Sequence, residues 1–376
     1  MDKKIVLIGA GIKCTEAILN YGKEQIVYIY DNFKKEDFIE GIPTISLEKL
    51  KQNHEEFKVV FTPEKEAVLY ELSIQFTNLN IPYEIYSRNS TFFFQRLHIF
   101  GSYPELKYDY YVNSEGDRVV FRHYSDVFKK MFSTYGNQFK GKNLDFWICN
   151  VDDSMRAYRF AVIHRIPYVF SWSTKYGIED RVIPIPDYRS CFDEAIYPWE
   201  ETQKRCREAS FTPVQDERAF WIGSPREHPV REALFHLGER YPEYLDIRKY
   251  CLVNDRVNLE KDGFVPMLKQ SKYKYLIDVE GIGWTDRTKI LMQLGRPVLI
   301  VDRPYKEWWH KYLVPMKHYV PVKQDLSDLI EKICFLNENP KIYQNITKNA
   351  FEFCQEYFSG ESYMHVLKDA VMKYGI

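Results

Sequence analysis

Net charge is nearly absent from this chain: 52 lysines and arginines face 53 aspartates and glutamates over 376 residues. A protein that lives on nucleic-acid phosphates or on an anionic membrane surface carries an excess of cations. Nucleic acid is therefore not the expected partner. Long hydrophobic runs are absent as well. No stretch approaches the ~20 apolar residues of a membrane-crossing helix. The early apolar run Ile5 to Gly11 is shorter than the core of a secretory signal, so the expected location is the cytoplasm. The seven cysteines are odd in number and scattered without CxxC spacing, which indicates neither a disulfide framework nor a zinc site. The nine histidines form no HxxxH pair, and no low-complexity tract or internal repeat is visible.

What is present is an ordinary globular composition, 45% hydrophobic and 28% charged, with an unusual 16% of aromatics, 29 of them Tyr and 25 Phe. Flat, half-polar rings serve core packing, and they also suit stacking on sugars or nucleobases. The length predicts two to three domains. The first 86 residues alternate as a small α/β unit: strands at Lys4–Ile8, Ile26–Tyr30, Lys58–Thr62 and Tyr83–Tyr86, with helices over Thr15–Tyr21 and about Pro63–Leu79. A polar junction follows at 87–90, then a hairpin turning at Ser114–Asp117, a helix near 125–134 and a buried strand, Leu144–Cys149. A second α/β series begins at Arg218–Ile222 and contains the strands Tyr273–Val279 and Pro297–Val301. Helical patterns at about 324–337, 340–357 and 361–373 close the chain. Two such halves in succession predict a cleft between them.

Four segments could carry chemistry. Gly9-Ala10-Gly11 is a tight turn between strand and helix, with Asp31 at the end of the next strand where a ribose-binding acid would stand. It reads either as a nucleotide site or as a structural, Rossmann-like appendage. Directly after the strand at 274–277 come Asp278, Glu280, Gly281, Gly283, Thr285, Asp286 and Arg287. Here Thr285 predicts an N-cap and a helix running to Leu294 with Gly295 as its stop. That loop is either an anion site or a turn whose arginine pairs with Asp286 or Glu280. Gly223, Ser224, Arg226 and Arg231 again follow a strand, so Arg226, Arg231 and Arg287 could converge on one diphosphate. Asn150-Val151-Asp152-Asp153 ends a strand of the other half. A carboxylate facing an anion site across a cleft is what a transferase needs to deprotonate a hydroxyl. The rival reading of Asp152-Asp153, or of Asp278 with Glu280, is metal binding, which the arginines make redundant.

Residues from about 144 to 358 resemble glycosyltransferase family 90, which includes protein O-glucosyltransferases, capsule xylosyltransferases and lipopolysaccharide-modifying enzymes. The resemblance rests on Tyr273 to Gly281, Thr285, Arg287, Leu291, Gly295, Val298, the pair Glu307-Trp308, Leu313, Pro315, His318 to Val322 and Asp325 to Leu329. Upstream, Asn150–Asp153, Val169–Ser173, Gly223-Ser224 and Arg231-Glu232 match further family segments. Thr285 stands where the family has Ser, and Asp152 stands where it has Arg. One extra residue lies between Ser224 and Arg231.

The resemblance implies a GT-B-like pair of Rossmann-like halves around a cleft, here preceded by a small βαβ domain, and inverting transfer from a UDP-sugar without a metal or other cofactor. By motif position Asp153 is the base, while Ser224, Arg226, Arg231, Gly281, Thr285 and Arg287 bind the donor. The expected domains are 1–86, 87–215 on the acceptor side, 216–358 for the donor, and a closing helix at 359–376. A cytoplasmic location favours a glycan or lipid-linked glycan acceptor, a lipopolysaccharide or capsule precursor, met at the inner membrane surface. The donor sugar is open between glucose, xylose and related sugars. Two rivals differ in class: a nicotinamide-dependent (NAD) oxidoreductase using Gly9, Gly11 and Asp31, and a non-catalytic nucleotide- or glycan-binding protein.

Overall fold

Short runs rich in Val, Ile and Leu, buried on both faces, form three sheets in succession. The computed structural model describes residues 3–86, 94–99, 107–108, 111–112, 118–119, 122–149, 154–187, 199–249, 264–281, 285 and 287–375. The first sheet orders its strands Ile26–Tyr30, Lys4–Ile8, Phe57–Phe61 and Glu84–Ile85, all parallel. Val6 and Ile8 pack on one face of this sheet, and Ile5 and Leu7 pack on the other, each set into its own cluster. That is the period-2 alternation of a strand buried on both sides. The helix Glu66–Asn78 lies against the helix Ser154–His164, fastening this unit to the next. Tyr83 donates to the carbonyl of Ile163 at 3.1 Å, and the Arg165 guanidinium stacks 4.0 Å above the Tyr83 ring.

The second sheet runs Val182–Pro184, Val169–Ser171 and Leu144–Cys149 in parallel, then Phe94–Ile99 and Lys107–Tyr108 antiparallel. Phe94–Ile99 runs against both of its neighbours, an addition to the Rossmann-like half that the sequence pattern does not mark. A local ribbon pairs Tyr111–Val112 with Arg118–Val119, flanking the predicted turn.

The third sheet is wholly parallel, ordered Leu245–Lys249, Asp216–Gly223, Tyr273–Asp278, Val298–Val301 and Val320–Val322. From Asp216–Gly223 the chain first adds a strand on one side and then returns to add Tyr273–Asp278 on the other. The gap between these two strands is therefore a topological switch point, where parallel sheets open a crevice at their carboxyl ends.

The second and third sheets share one continuous core, in which Phe146 and Phe170 meet Phe220, Leu276, Phe353 and Tyr363. An antiparallel ribbon of Thr174–Lys175 with Tyr305–Lys306 links the two halves. The final helix, Gly360–Tyr374, returns to pack on the strand Leu144–Cys149 and the helix Arg122–Tyr135. Among the described residues no helix is long and apolar enough to cross a membrane, and every described cysteine is a free thiol.

Candidate active site

At the switch point of the third sheet lies a cavity of about 420 Å³, lined by Gly223, Ser224, Arg226, Arg231, Phe264 and Arg287, among others. Residues 64 positions apart in sequence meet here because both loops leave the carboxyl ends of adjacent parallel strands. The strand Asp216–Gly223 delivers Trp221, whose indole underlies two of the arginines. The guanidinium carbons of Arg231 and Arg287 sit 5.3 and 5.6 Å from its ring. Trp221 also explains its neighbour, since a Cβ on Gly223 would come within 2.5 Å of the indole. Sequence reading passed over Trp221; the available signal was its position two residues before Gly223, on the same face of the strand.

Arg231 is only 4% exposed. Its Nε donates to the Glu280 carbonyl at 2.7 Å and its Nη1 to the Ser224 carbonyl at 3.2 Å, with Glu227 as its ion-pair partner at 2.5 Å. Gly281 lies beside it, where an added Cβ would approach Nη2 to 3.1 Å. Arg287 donates from Nη1 to the Ile222 carbonyl at 2.8 Å. It pairs with neither predicted carboxylate among the described residues; Asp286 lies outside them. Burial pushes both guanidinium pKa values down from their ordinary range. A cation held out of water with carbonyls for neighbours gains when an anion arrives. Arg226 stands exposed at the cavity mouth, with no side-chain partner among the described residues.

The predicted helix from Thr285 is corrected here. The helical turn spans only Thr288–Leu291, and Thr285 does not cap it. Instead Thr285, 8% exposed, donates its hydroxyl to Asp278 Oδ1 at 3.3 Å. Asp278 is fully buried and also accepts from Thr288 and, at 2.7 Å, from Nη2 of Arg303. A buried carboxylate demands such partners, and meeting that demand folds the loop back on the strand end instead of extending a helix. Gly295 nevertheless ends the segment with φ +68°. Asp278 is thus committed to anchoring the loop. Glu280 faces His228 at 3.3 Å and Gln324 at 3.4 Å. Among the described residues no group of three or more His, Cys, Asp or Glu could hold a metal ion.

Asp152 and Asp153 lie outside the described residues, so Asp153 is located only by the strand Leu144–Cys149 that precedes it. The amino-terminal turn is described in full. Asp31 accepts the backbone N–H groups of Ala10, Phe33 and Lys34 at 2.8 to 3.0 Å, and Lys34 reaches back to the Ala10 carbonyl at 3.2 Å. Gly9 holds φ +97°, Gly11 opens the helix Ile12–Tyr21, and the carboxylate is engaged within its own loop.

A second cavity, about 870 Å³, opens between the two halves, with Thr174 and Ile183 from one side, Arg303 and Glu307 from the other, and Val366 and Tyr374 from the last helix. At its wall, Glu307 accepts from Lys289 at 3.2 Å, and Lys289 is also bonded to Asp187, all three side chains at most 5% exposed. Burial raises the Glu307 carboxyl to about 7, against the opposing pull of Lys289.

Three comparisons with known proteins bear on this geometry. The family description "Glycosyl transferase family 90" matches residues 139–374. An uncharacterised protein, 179R, of Invertebrate iridescent virus 6 is 36% identical over 143 residues, 34% of this chain and 12% of the viral protein. Human protein O-glucosyltransferase 3 is 36% identical over 136 residues, 35% of this chain and 26% of the human one. The chain thus matches well under half the length of either relative. Among solved structures, Anabaena HepE in complex with UDP and glucose is 11% identical, with 99% of this chain and 100% of that one covered and a TM-score of 0.36, a likeness too distant to carry an argument.

Proposed function

The chain belongs to glycosyl transferase family 90, and from that premise we propose that it moves a sugar from a UDP-sugar donor to a hydroxyl of a glycan or lipid-linked glycan acceptor. The single observation that supports the donor site most is the meeting of Arg226, Arg231 and Arg287 with Ser224 in one cavity at the switch point. Buried Arg231 and half-buried Arg287 on a shared Trp221 platform are preorganised for a diphosphate: their reorganisation is done before the ligand arrives. Gly281 leaves the space beside Arg231 open, and Thr285, tied to Asp278, sets the loop that presents Arg287.

In this reading the acceptor oxygen attacks the anomeric carbon from the face opposite UDP. Asp153 takes the hydroxyl proton, the C–O bond to the diphosphate breaks, and the configuration inverts. The leaving UDP carries away the bonding pair as negative charge, which the arginines neutralise. The four-residue turn Thr288–Leu291 is too short for a helix dipole to contribute, so this charge falls to the guanidinium groups. The division into a 1–86 unit, an 87–215 acceptor side, a 216–358 donor side and a 359–376 closing helix belongs to the same proposal. So do glucose or xylose as the donor sugar, a lipopolysaccharide or capsule precursor as acceptor, and a cytoplasmic site of action at the inner membrane surface.

The test combines binding with turnover. Asp153→Asn is expected to keep UDP affinity in a calorimetric titration and to lose at least ~100-fold in sugar transfer, the scale of a general base. Near-normal turnover removes Asp153 from the role, and failure of the wild-type chain to bind UDP removes the donor site.

A further inference from the structure

Two residues that line the larger cavity each carry a buried donor with no hydrogen-bond partner among the described residues. Arg303 is 4% exposed and spends Nη2 on Asp278 and on Thr288, yet its Nη1 has no hydrogen-bond partner among the described residues. His310 accepts the Glu307 backbone N–H on Nδ1 at 2.9 Å, so its neutral ring carries the proton on Nε2, and that buried nitrogen is also unpartnered. The ring is held neutral, because burial and the nearby cations Arg303 and Lys306 push its pKa well below the ordinary value. Leaving a buried donor unmade costs about 1–3 kcal/mol. Two of them in the lining of one cavity call for an oxygen acceptor from outside the chain.

The charges around the cavity favour an anion. Of its five lining acids, Asp302 faces Lys306, Glu307 faces Lys289, Asp328 faces Lys332, Asp369 faces Lys368, and Glu179 accepts the Gly177 N–H. Lys311, Lys323 and Lys373 at the rim have no carboxylate within ion-pairing distance among the described residues. Tyr312, Tyr319 and Tyr374 add flat walls of the kind that pack on the C–H faces of sugars. The volume of about 870 Å³ lies in the range of sites for small ligands.

We propose that this cavity binds a saccharide carrying a carboxylate or a phosphate, whose oxygens accept from Nη1 of Arg303 and Nε2 of His310. The binding goes beyond the transfer reaction and does not require it. The site is also tied to the donor loop: Arg303 holds Asp278, which anchors the loop bearing Arg287.

The experiment titrates the full chain with glucuronate, glucose 6-phosphate and glucose by ligand-observed NMR, with a parallel UDP titration. The wild type is expected to bind at least one charged sugar ~10-fold more tightly than glucose, and the better of the two anions identifies the group. His310→Phe, which keeps the ring stacked on Trp309, is expected to weaken the charged sugar ~10-fold and to leave UDP affinity unchanged. Lys373→Glu, exposed and harmless to folding, is expected to cost about threefold in the same titration. Equal affinity for glucose and both anions, no binding of either anion, or charged-sugar binding unmoved in both variants overturns the proposal. Charged-sugar binding without UDP binding overturns the transfer reading and leaves this site standing.

Discussion

The amino-terminal turn at Gly9–Gly11 and the donor-side loops after Gly223 and Asp278 are built from the same parts. Each follows a buried parallel strand, uses glycine and places ionisable residues at the strand end. In the first, the carboxylate of Asp31 accepts three backbone N–H groups, those of Ala10, Phe33 and Lys34, so its charge is met by the protein itself. In the second, buried Arg231 and half-buried Arg287 are supported by backbone carbonyls and an indole, which hold them in place without neutralising the charge of Arg287. A glycine turn therefore says where a ligand could approach. The neighbouring charge, met by the protein in one loop and available in the other, is what separates the two.

The largest effect that would sharpen this contrast is expected at Arg287. Arg287→Ala should abolish measurable UDP binding and lower sugar transfer ~100-fold or more, the loss seen when one preorganised donor is removed. Titration in EDTA, together with a thermal melt near the wild-type midpoint, checks it. UDP binding that survives in the variant would break the comparison on the donor side.

A middle-sized effect is expected from Glu307, the buried acid in the wall of the interhalf cavity. Its folded pKa of about 7 lies above its unfolded value, so the native state holds a proton that the unfolded chain releases. Stability therefore falls as pH rises from about 4.3 to 7 and levels off beyond. Glu307→Gln should flatten that slope in denaturant unfolding measured at pH 5 and pH 7.5; an unchanged slope would deny that this carboxyl is the group responsible.

The smallest effect belongs to Asp31. Burial pushes its pKa up, but the three backbone N–H bonds outweigh it and hold the carboxyl below its ordinary value. The stability it contributes is present above about pH 3.9 and is lost as pH falls through its lower folded pKa. Asp31→Asn should cost within about 1 kcal/mol at pH 7, as a part-exposed charge does, with that cost shrinking at pH 3 and UDP affinity unmoved. A loss of UDP affinity in this variant would show the first turn to be part of the donor site after all.

Much of the fold was legible because strands buried on both faces write themselves as unbroken apolar runs. Lys4–Ile8, Ile26–Tyr30 and Leu144–Cys149 match their predicted bounds residue for residue. The long helix Pro340–Tyr357 does too, starting at the proline that marks its first turn. The loop after Asp278 was less legible. Thr285 has every local mark of an N-cap, yet its hydroxyl is drawn to a buried carboxylate seven residues away, a partner visible only once the strand end is buried. The antiparallel strands Phe94–Ile99 and Lys107–Tyr108 were hidden for a similar reason: direction in a sheet is a property of pairing, which composition does not record.

By itself the sequence determined the α/β class, most of the strands and helices of the first and third sheets, the family, and the residue types at their strand ends, since all of these depend on local periodicity and short motifs. Only the tertiary structure decided which charges stay available. It brought Ser224, Arg226, Arg231 and Arg287 into one cavity, tied Asp278 to Arg303, and left Arg303 and His310 each with a donor unmade. The reason is physical: the energy of a charge is set by burial and by neighbours distant in sequence, and neither exists until the sheets have closed on their shared core.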